Sequence, residues 1–285
     1  MGSGKLEGKV ALVTGASRGI GAGIAEHFVR EGARVAIVAR THHEGEHRRA
    51  AGSVDTTLAA LRALGGDAVG IVANAGEFAE CERAVAQARE ALGPIDVLVN
   101  NAAQTSFAPV AEFDPERWLR TFSVNLHAAF YMSRLVLPEM IERGSGWIVN
   151  ISSSSARGPG RGPYEPGAKT GSVLYGVTKA ALERFTQGLA AEVFEAGVCV
   201  TALSPSAMVP TEGTRIHAAR LASDHPTEPM EMMERAAVLL ASADPKTVTG
   251  RVCYSQQILA EHGWLPETEA SGVGIDTPGS PFSQI

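Results

Sequence analysis

Tyr175 and Lys179 stand four residues apart in a stretch with helical apolar periodicity, and Ser153 closes an apolar run upstream of them. A free phenol titrates near pH 10 and is a weak acid-base catalyst at neutral pH, but an ammonium beside it, helped by an oxidised nicotinamide, favours the phenolate. A spacing of four puts the two side chains on one face of a helix with Cβ atoms about 5–6 Å apart. Tyr175 can then pass a proton to or from a substrate oxygen. Near the start of the chain Thr14-Gly15-Ala16-Ser17-Arg18-Gly19-Ile20-Gly21 forms a glycine-rich turn between an apolar strand and a helix. Gly15, Gly19 and Gly21 lack side chains that would hold a pyrophosphate away from the backbone, and the free N–H groups at the following helix attract its charge. A phosphate cradle together with an acid-base tyrosine is what nicotinamide-dependent hydride transfer requires.

Positioning these groups needs a sheet and its crossovers. The segments Val10 to Val13, Val35 to Ala39, Ala68 to Ala73, Ile95 to Val99, Trp147 to Ile151 and Val198 to Leu203 are short, rich in Val and Ile, and not alternating. That is the pattern of strands buried on both faces of a parallel sheet. Helical patterns separate them at Ile24 to Arg30, Val54 to Leu64, Phe78 to Leu92, Pro115 to Arg143 and Leu174 to Ala196. Alternation of this kind predicts an α/β fold with a doubly wound, Rossmann-type parallel sheet, in a single domain over residues 1–285. Glu231 to Leu240 reads as a further helix and Val252 as the start of a last strand. Three stretches break the rhythm: polar Thr41 to Gly52, Gly- and Pro-dense Ala156 to Ser172, and Ser206 to Met230. All follow the carboxyl ends of strands, where open α/β sheets bind ligands. The tail, residues 263–285, contains Pro266, Pro278 and Pro281 and reads as a surface-crossing loop or a disordered end.

Composition narrows the function classes. The 285 residues are 45% apolar and 20% charged, with 31 glycines, as expected of a core-forming chain with many tight turns. A net charge of −6 with both signs interspersed offers no basic face to nucleic acid or to an anionic membrane. Met1 to Lys9 is polar and no apolar run reaches eighteen residues, so a cytoplasmic protein is expected. Cys81, Cys199 and Cys253 are far apart and read as buried thiols. His42, His43 and His47 lie among Glu and Arg in a polar loop, read as solvated, and no metal is called.

Cofactor choice turns on the end of the second strand. An acid that reads the ribose hydroxyls is expected about twenty residues beyond the glycine turn, but the segment reads Val38-Ala39-Arg40. A small residue stands where the acid would be, and Arg40 with Arg18 can fork onto a 2′-phosphate. NADP(H) is therefore preferred over NAD(H). Asn74 and Ala75 follow the third strand on the adenine side, and Asn100 to Ala103, with Asn101 at its centre, closes the fourth strand over the cofactor.

Taken in order, Thr14 to Gly21, Asn100-Asn101-Ala102, Asn125, Ile151-Ser152-Ser153 and Tyr175-x-x-x-Lys179 identify the chain as resembling the short-chain dehydrogenase/reductase family over residues 8 to about 255. The resemblance implies an oxidoreductase acting on a carbonyl or secondary alcohol, with Asn125, Ser153, Tyr175 and Lys179 as the catalytic set. In the family the second serine after the strand hydrogen-bonds the substrate oxygen, the lysine also touches the nicotinamide ribose, and the asparagine holds a water that links the lysine to solvent. The resemblance also places Thr211 on the nicotinamide side and implies a homodimer or homotetramer built on the two long helices. Ala103 and Ser206 stand where the family usually has glycine, Asn74 replaces its usual aspartate, and the last strand lacks the common Gly-Gly ending. The 22 positions from Ser153 to Tyr175 exceed the family interval, so residues 156–172 contain an insertion. Its Arg157, Arg161 and Lys169 could read an acidic substrate, although a solvated loop is the preferred reading. Two other readings stay open: a non-catalytic NADP(H)-binding or scaffold protein, and an enoyl reductase or isomerase on the same fold. The intact Ser, Tyr and Lys argue against the first, and the three-residue gap between Tyr and Lys against the second.

Overall fold

The computed structural model describes residues 4–47, 50–158, 163–164, 171–216 and 226–276. The apolar segments become β1 (Val10–Thr14), β2 (Arg34–Ala39), β3 (Ala68–Val72), β4 (Val97–Asn100), β5 (Gly146–Ile151), β6 (Val198–Ser204) and β7 (Val252–Tyr254). They form one seven-stranded sheet in the order β3-β2-β1-β4-β5-β6-β7, and every pairing is parallel. Residues alternate between two cores. Ala11 and Val13 of β1 join one core and Val10 and Leu12 the other. The first core is closed by α1 (Gly19–Arg30), α2 (Val54–Ala63), α8 (Met230–Ser242) and α10 (Ser255–Glu261); the second by α3 (Phe78–Leu92), α5 (Ala128–Arg143) and α6 (Val173–Val193). Burying each Val, Leu or Ile of such a strand contributes about 1.5–3 kcal/mol, which is why the strands need no polar face.

Local chemistry sets several boundaries. Ser53 and Thr56 form a reciprocal capping box that starts α2. Asp114 accepts from the Glu116 N–H at 3.0 Å and Pro115 opens α4 (Pro115–Phe122). The stretch read as one helix from Pro115 to Arg143 is not continuous: a π turn over Ser123–His127 separates α4 from α5 and carries Asn125. Such one-residue expansions of a helix recur at functional sites and leave no mark on apolar periodicity. Helix α1 also starts earlier than its pattern, because Gly19 and Gly21 are poor helix formers and tertiary packing overrides their propensity. Between β6 and α8 lies the short α7 (Glu212–Ile216), and α9 (Pro245–Val248) precedes β7.

The strand order reverses at β1, whose neighbours are β2 and β4, so a crevice opens above Thr14 and Asn100. Residues 263–276 of the tail cross the surface: Leu265 is buried and the Val273 N–H donates to the Ser206 carbonyl at 2.8 Å. Residues 277–285 lie outside the described residues. Cys81, Cys199 and Cys253 are buried free thiols, as the spacing predicts. Among the described residues no helix is long and apolar enough to cross a membrane.

Candidate active site

The glycine turn lies against the end of β4. Thr14 Oγ1 accepts from the N–H groups of Asn101 and Ala102, each at 3.1 Å, and Asn101 Nδ2 donates to the carbonyls of Thr14 and Gly15, each at 3.0 Å. This proximity explains the glycines. Gly15 has φ +67, and a Cβ there would sit 2.7 Å from Ala102 Cα; a Cβ on Gly21 would run into Asn101 Nδ2. Gly19, at φ +57, turns the chain into α1. The N-cap of α1 is Arg18, whose side chain caps nothing, and the first turn carries no acid. An uncapped, acid-free helix start beneath a cradle that any Cβ would fill suits the pyrophosphate of a dinucleotide. Ser17 is buried in the turn, and Ile20 packs onto the core beneath it.

Arg18 is oriented by the 41–52 loop. Its Nε donates to the Ala51 carbonyl at 2.7 Å and its Nη2 to the Gly52 carbonyl at 2.5 Å and to Thr41 Oγ1 at 3.2 Å. Arg40 is exposed and close enough for its charge to help depress the Arg18 pKa, though burial is the larger cause and Glu44 and Glu212 oppose it. The fold thus brings the two arginines together at the end of β2, with one edge of Arg18 already committed to the loop. Asn74 is partly committed as well, since its Oδ1 accepts from the Gly76 N–H at 3.2 Å. The carbonyl of the buried Ala75 accepts from the Cys81 thiol. Thr211 is buried and caps α7 by accepting from the Thr214 N–H at 3.1 Å. It packs on the glycine turn, with its Cβ 3.4 Å from where a Gly19 Cβ would be.

At the other end of the crevice the Ser153 side chain lies by the Tyr175 hydroxyl and favours its ionised form. Ser153 also accepts from the Ser155 N–H at 3.2 Å. Lys179 is almost wholly buried; its Nζ donates to the Ile151 carbonyl at 2.7 Å and lies 5.7 Å from the centre of the Tyr175 ring. Burial pulls the ammonium down to about 8, with Glu183 acting in the opposite direction. The phenol does not become more acidic: burial pushes Tyr175 up to about 12, only partly offset by Ser153. The ammonium is directed at a backbone carbonyl, and desolvation of the phenolate dominates.

Asn125 joins the same constellation from the π turn. Its Oδ1 accepts from the Gln104 N–H at 2.7 Å, and its Nδ2 donates to the Gln104 carbonyl and to Thr178 Oγ1, both at 3.0 Å. Thr178 donates in turn to the Tyr175 carbonyl at 2.8 Å. Below the site Asn100, Asn150 and Thr186 form a buried amide and hydroxyl ladder across β4, β5 and α6.

Two features escaped the sequence. Glu228 is buried and accepts from Ser255 Oγ at 2.7 Å, Gln256 Nε2 at 2.9 Å and the Ser206 N–H at 3.2 Å. Ser206, in a position where glycine was expected, accepts on its own Oγ from the Gln256 N–H at 3.1 Å, so this hydroxyl helps fasten the loop after β6 to α10. A glutamate before Pro229 carries no periodic signal, and its partners are 22 to 28 residues away. Second, the exposed His42 and His43 rings stack with centroids 3.7 Å apart, and His43 Nδ1 lies 2.7 Å from Asp55. The loop that carries them and His47 is exposed to solvent, and Asp55 joins the pair from twelve residues beyond His43. Of the inserted cations, Arg161 and Lys169 lie outside the described residues.

Residues 9–220 match the short chain dehydrogenase family. The chain belongs to that family. Among its short-chain dehydrogenase relatives is a short chain dehydrogenase of Pseudocercospora fijiensis, 33% identical over 246 residues that span 85% of this chain and 72% of that one. The glucose and ribitol dehydrogenase of Daucus carota is 35% identical over 263 residues, 88% and 84% of the two chains. A blue fluorescent protein from a metagenomic library, solved in complex with NADPH, superposes with a TM-score of 0.72 at 30% identity, over 88% of this chain and 97% of that one. As a short-chain dehydrogenase with this sheet and this glycine turn, the protein is an NAD(P)-dependent oxidoreductase.

Proposed function

We propose that the protein transfers hydride between NADP(H) and a carbonyl or secondary alcohol, with Tyr175 as the acid-base group. The observation that carries this reading is the contact between the Tyr175 hydroxyl and Ser153, one helical turn from the buried Lys179. The bound nicotinamide supplies or accepts the hydride. Ser153 orients the substrate oxygen. Tyr175, held as a neutral phenol by burial, donates its proton to that oxygen as negative charge develops during reduction. Lys179 holds positive charge beside the phenol at that moment, and Asn125 keeps the first turns of α6 in register through Thr178.

Gly15, Ser17, Arg18, Gly19, Ile20 and Gly21 cradle the phosphates in this reading, with Asn74, Ala75, Asn101 and Thr211 around the rest of the dinucleotide. Preference for NADP(H) is supported by Ala39, which offers no carboxylate, and by the neighbouring cations Arg18 and Arg40. Spectrophotometric screening of NADPH and NADH oxidation against ketones, aldehydes, quinones and keto acids tests the reading. NADPH-dependent turnover of a carbonyl substrate is expected, and turnover of none with either cofactor would favour a binding protein.

Association into a homodimer or homotetramer belongs to the same proposal. Leu119 of α4 is 67% exposed, and Phe130 of α5 and Val177 of α6 are also exposed. Apolar side chains of this size on the long helices suit a two-fold contact. Sedimentation equilibrium at micromolar concentration should show at least a dimer; a monomer alone would remove this part.

A further inference from the structure

A third side chain continues the stripe of α6 that carries Tyr175 and Lys179. Glu183 is one turn beyond Lys179 on the same face, and it has no exposed surface. A carboxyl group taken out of water costs several kcal/mol unless it is paired or hydrogen-bonded. Here Ser152 Oγ donates to Glu183 Oε1 at 2.9 Å. Ser152 is itself buried, and its N–H donates to the Leu203 carbonyl at 2.8 Å, which continues the β5–β6 ladder. It directly precedes Ser153. Lys179 reaches the same strand end from the other direction, through Ile151. Three consecutive residues of the strand end, Ile151, Ser152 and Ser153, thus meet Lys179, Glu183 and Tyr175 in turn.

We propose that Glu183 is a positioning residue, the buried counter-charge that keeps Lys179 protonated and locks the catalytic stripe of α6 onto the strand end bearing Ser153. This rests on the acid-base reading of Tyr175 and Lys179 given above. Among the described residues, Glu183 is the charge that acts on Lys179. Strand β5 has no ionisable side chain. Strands β6 and β7 bring the buried thiols Cys199 and Cys253, each pushed up to about 12 by burial, and the buried phenol Tyr254. Glu116, Arg117 and Arg120 of α4, His127 of the π turn and Glu195 after α6 are exposed to solvent. Burial works against the Lys179 ammonium, and Glu183 is the group whose charge opposes that loss.

Glu183→Gln removes the charge and keeps the shape and a hydrogen-bonding oxygen for Ser152. The direct readout is the titration of Lys179, followed by NMR of 13C-labelled lysine side chains. The chain has five lysines, and Lys179→Ala identifies the resonance. The Lys179 midpoint is expected to fall by about one pH unit in Glu183→Gln, and the alkaline limb of kcat/KM to move down with it. Ser152→Ala leaves the charge but frees the carboxyl group, and a smaller shift in the same direction is expected, so it serves if Glu183→Gln does not fold. An unchanged Lys179 midpoint in the folded variant overturns the proposal, as does a loss of kcat independent of pH. A shifted midpoint in a protein whose wild type turns over no carbonyl supports the electrostatic role and fails the catalytic reading instead.

Discussion

Asn125 donates to the Thr178 hydroxyl at 3.0 Å, across the gap between the π turn and α6. Because Thr178 is hydrogen-bonded to the Tyr175 carbonyl, the amide holds the backbone of the tyrosine and not its reactive end. Asn125 also satisfies both backbone groups of Gln104. Asn125→Leu leaves those buried groups without partners and should cost about 1–3 kcal/mol for each one that water cannot reach. Thr178→Val should cost less. In a double-mutant cycle on urea midpoints the pair should couple by about 0.5 kcal/mol or more; strictly additive effects would show that the contact carries no energy.

Tyr175→Phe keeps the ring and its packing near Phe107, and deletes only the proton donor. A loss of about 10²–10⁴ in kcat is expected, with NADPH affinity nearly unchanged because the phosphates are proposed to lie at the glycine turn. Near-wild-type kcat on a verified substrate would sink the assignment of Tyr175.

Ala39→Asp combined with Arg40→Leu installs an acid at the end of β2 and removes the exposed cation. The ratio of kcat/KM for NADPH over NADH should fall by about tenfold or more, since one charge-assisted hydrogen bond is worth about 1.5–3 kcal/mol. If the wild type already uses NADH better than NADPH, the cofactor assignment is wrong.

Burial pushes the Glu228 carboxyl above its ordinary 4.5, against the hydrogen bonds from Gln256, Ser255 and the Ser206 and Ala207 backbone. The folded chain therefore holds this proton to higher pH than the unfolded chain does. Its stabilising contribution is fully present below pH 4.5 and is lost as pH rises through the folded value. The unfolding free energy of wild type relative to Glu228→Gln should accordingly decline above about pH 4.5. A difference that stays constant with pH would remove this linkage.

The residues proposed to do the chemistry were legible because their signals are local. Tyr175 and Lys179 are one helical turn apart, the three glycines fall within seven residues, and buried parallel strands announce themselves as unbroken runs of Val and Ile. Order along the chain was enough to bring out the doubly wound sheet, since parallel crossovers are right-handed with few exceptions. Other features depended on contacts between segments far apart in sequence. The π turn that aims Asn125, the use of Arg18 by the 51–52 backbone and the attachment of Ser206 to Glu228, Ser255 and Gln256 have no periodicity to reveal them. The acidity of Tyr175 belongs to the same class. Sequence places a lysine beside it, but burial, which only packing decides, raises the phenol to about 12, with Ser153 acting in the opposite direction. Residue type and spacing determine which groups meet along a helix or a turn; the free energy of a charge depends on what surrounds it, and that is decided by the tertiary structure.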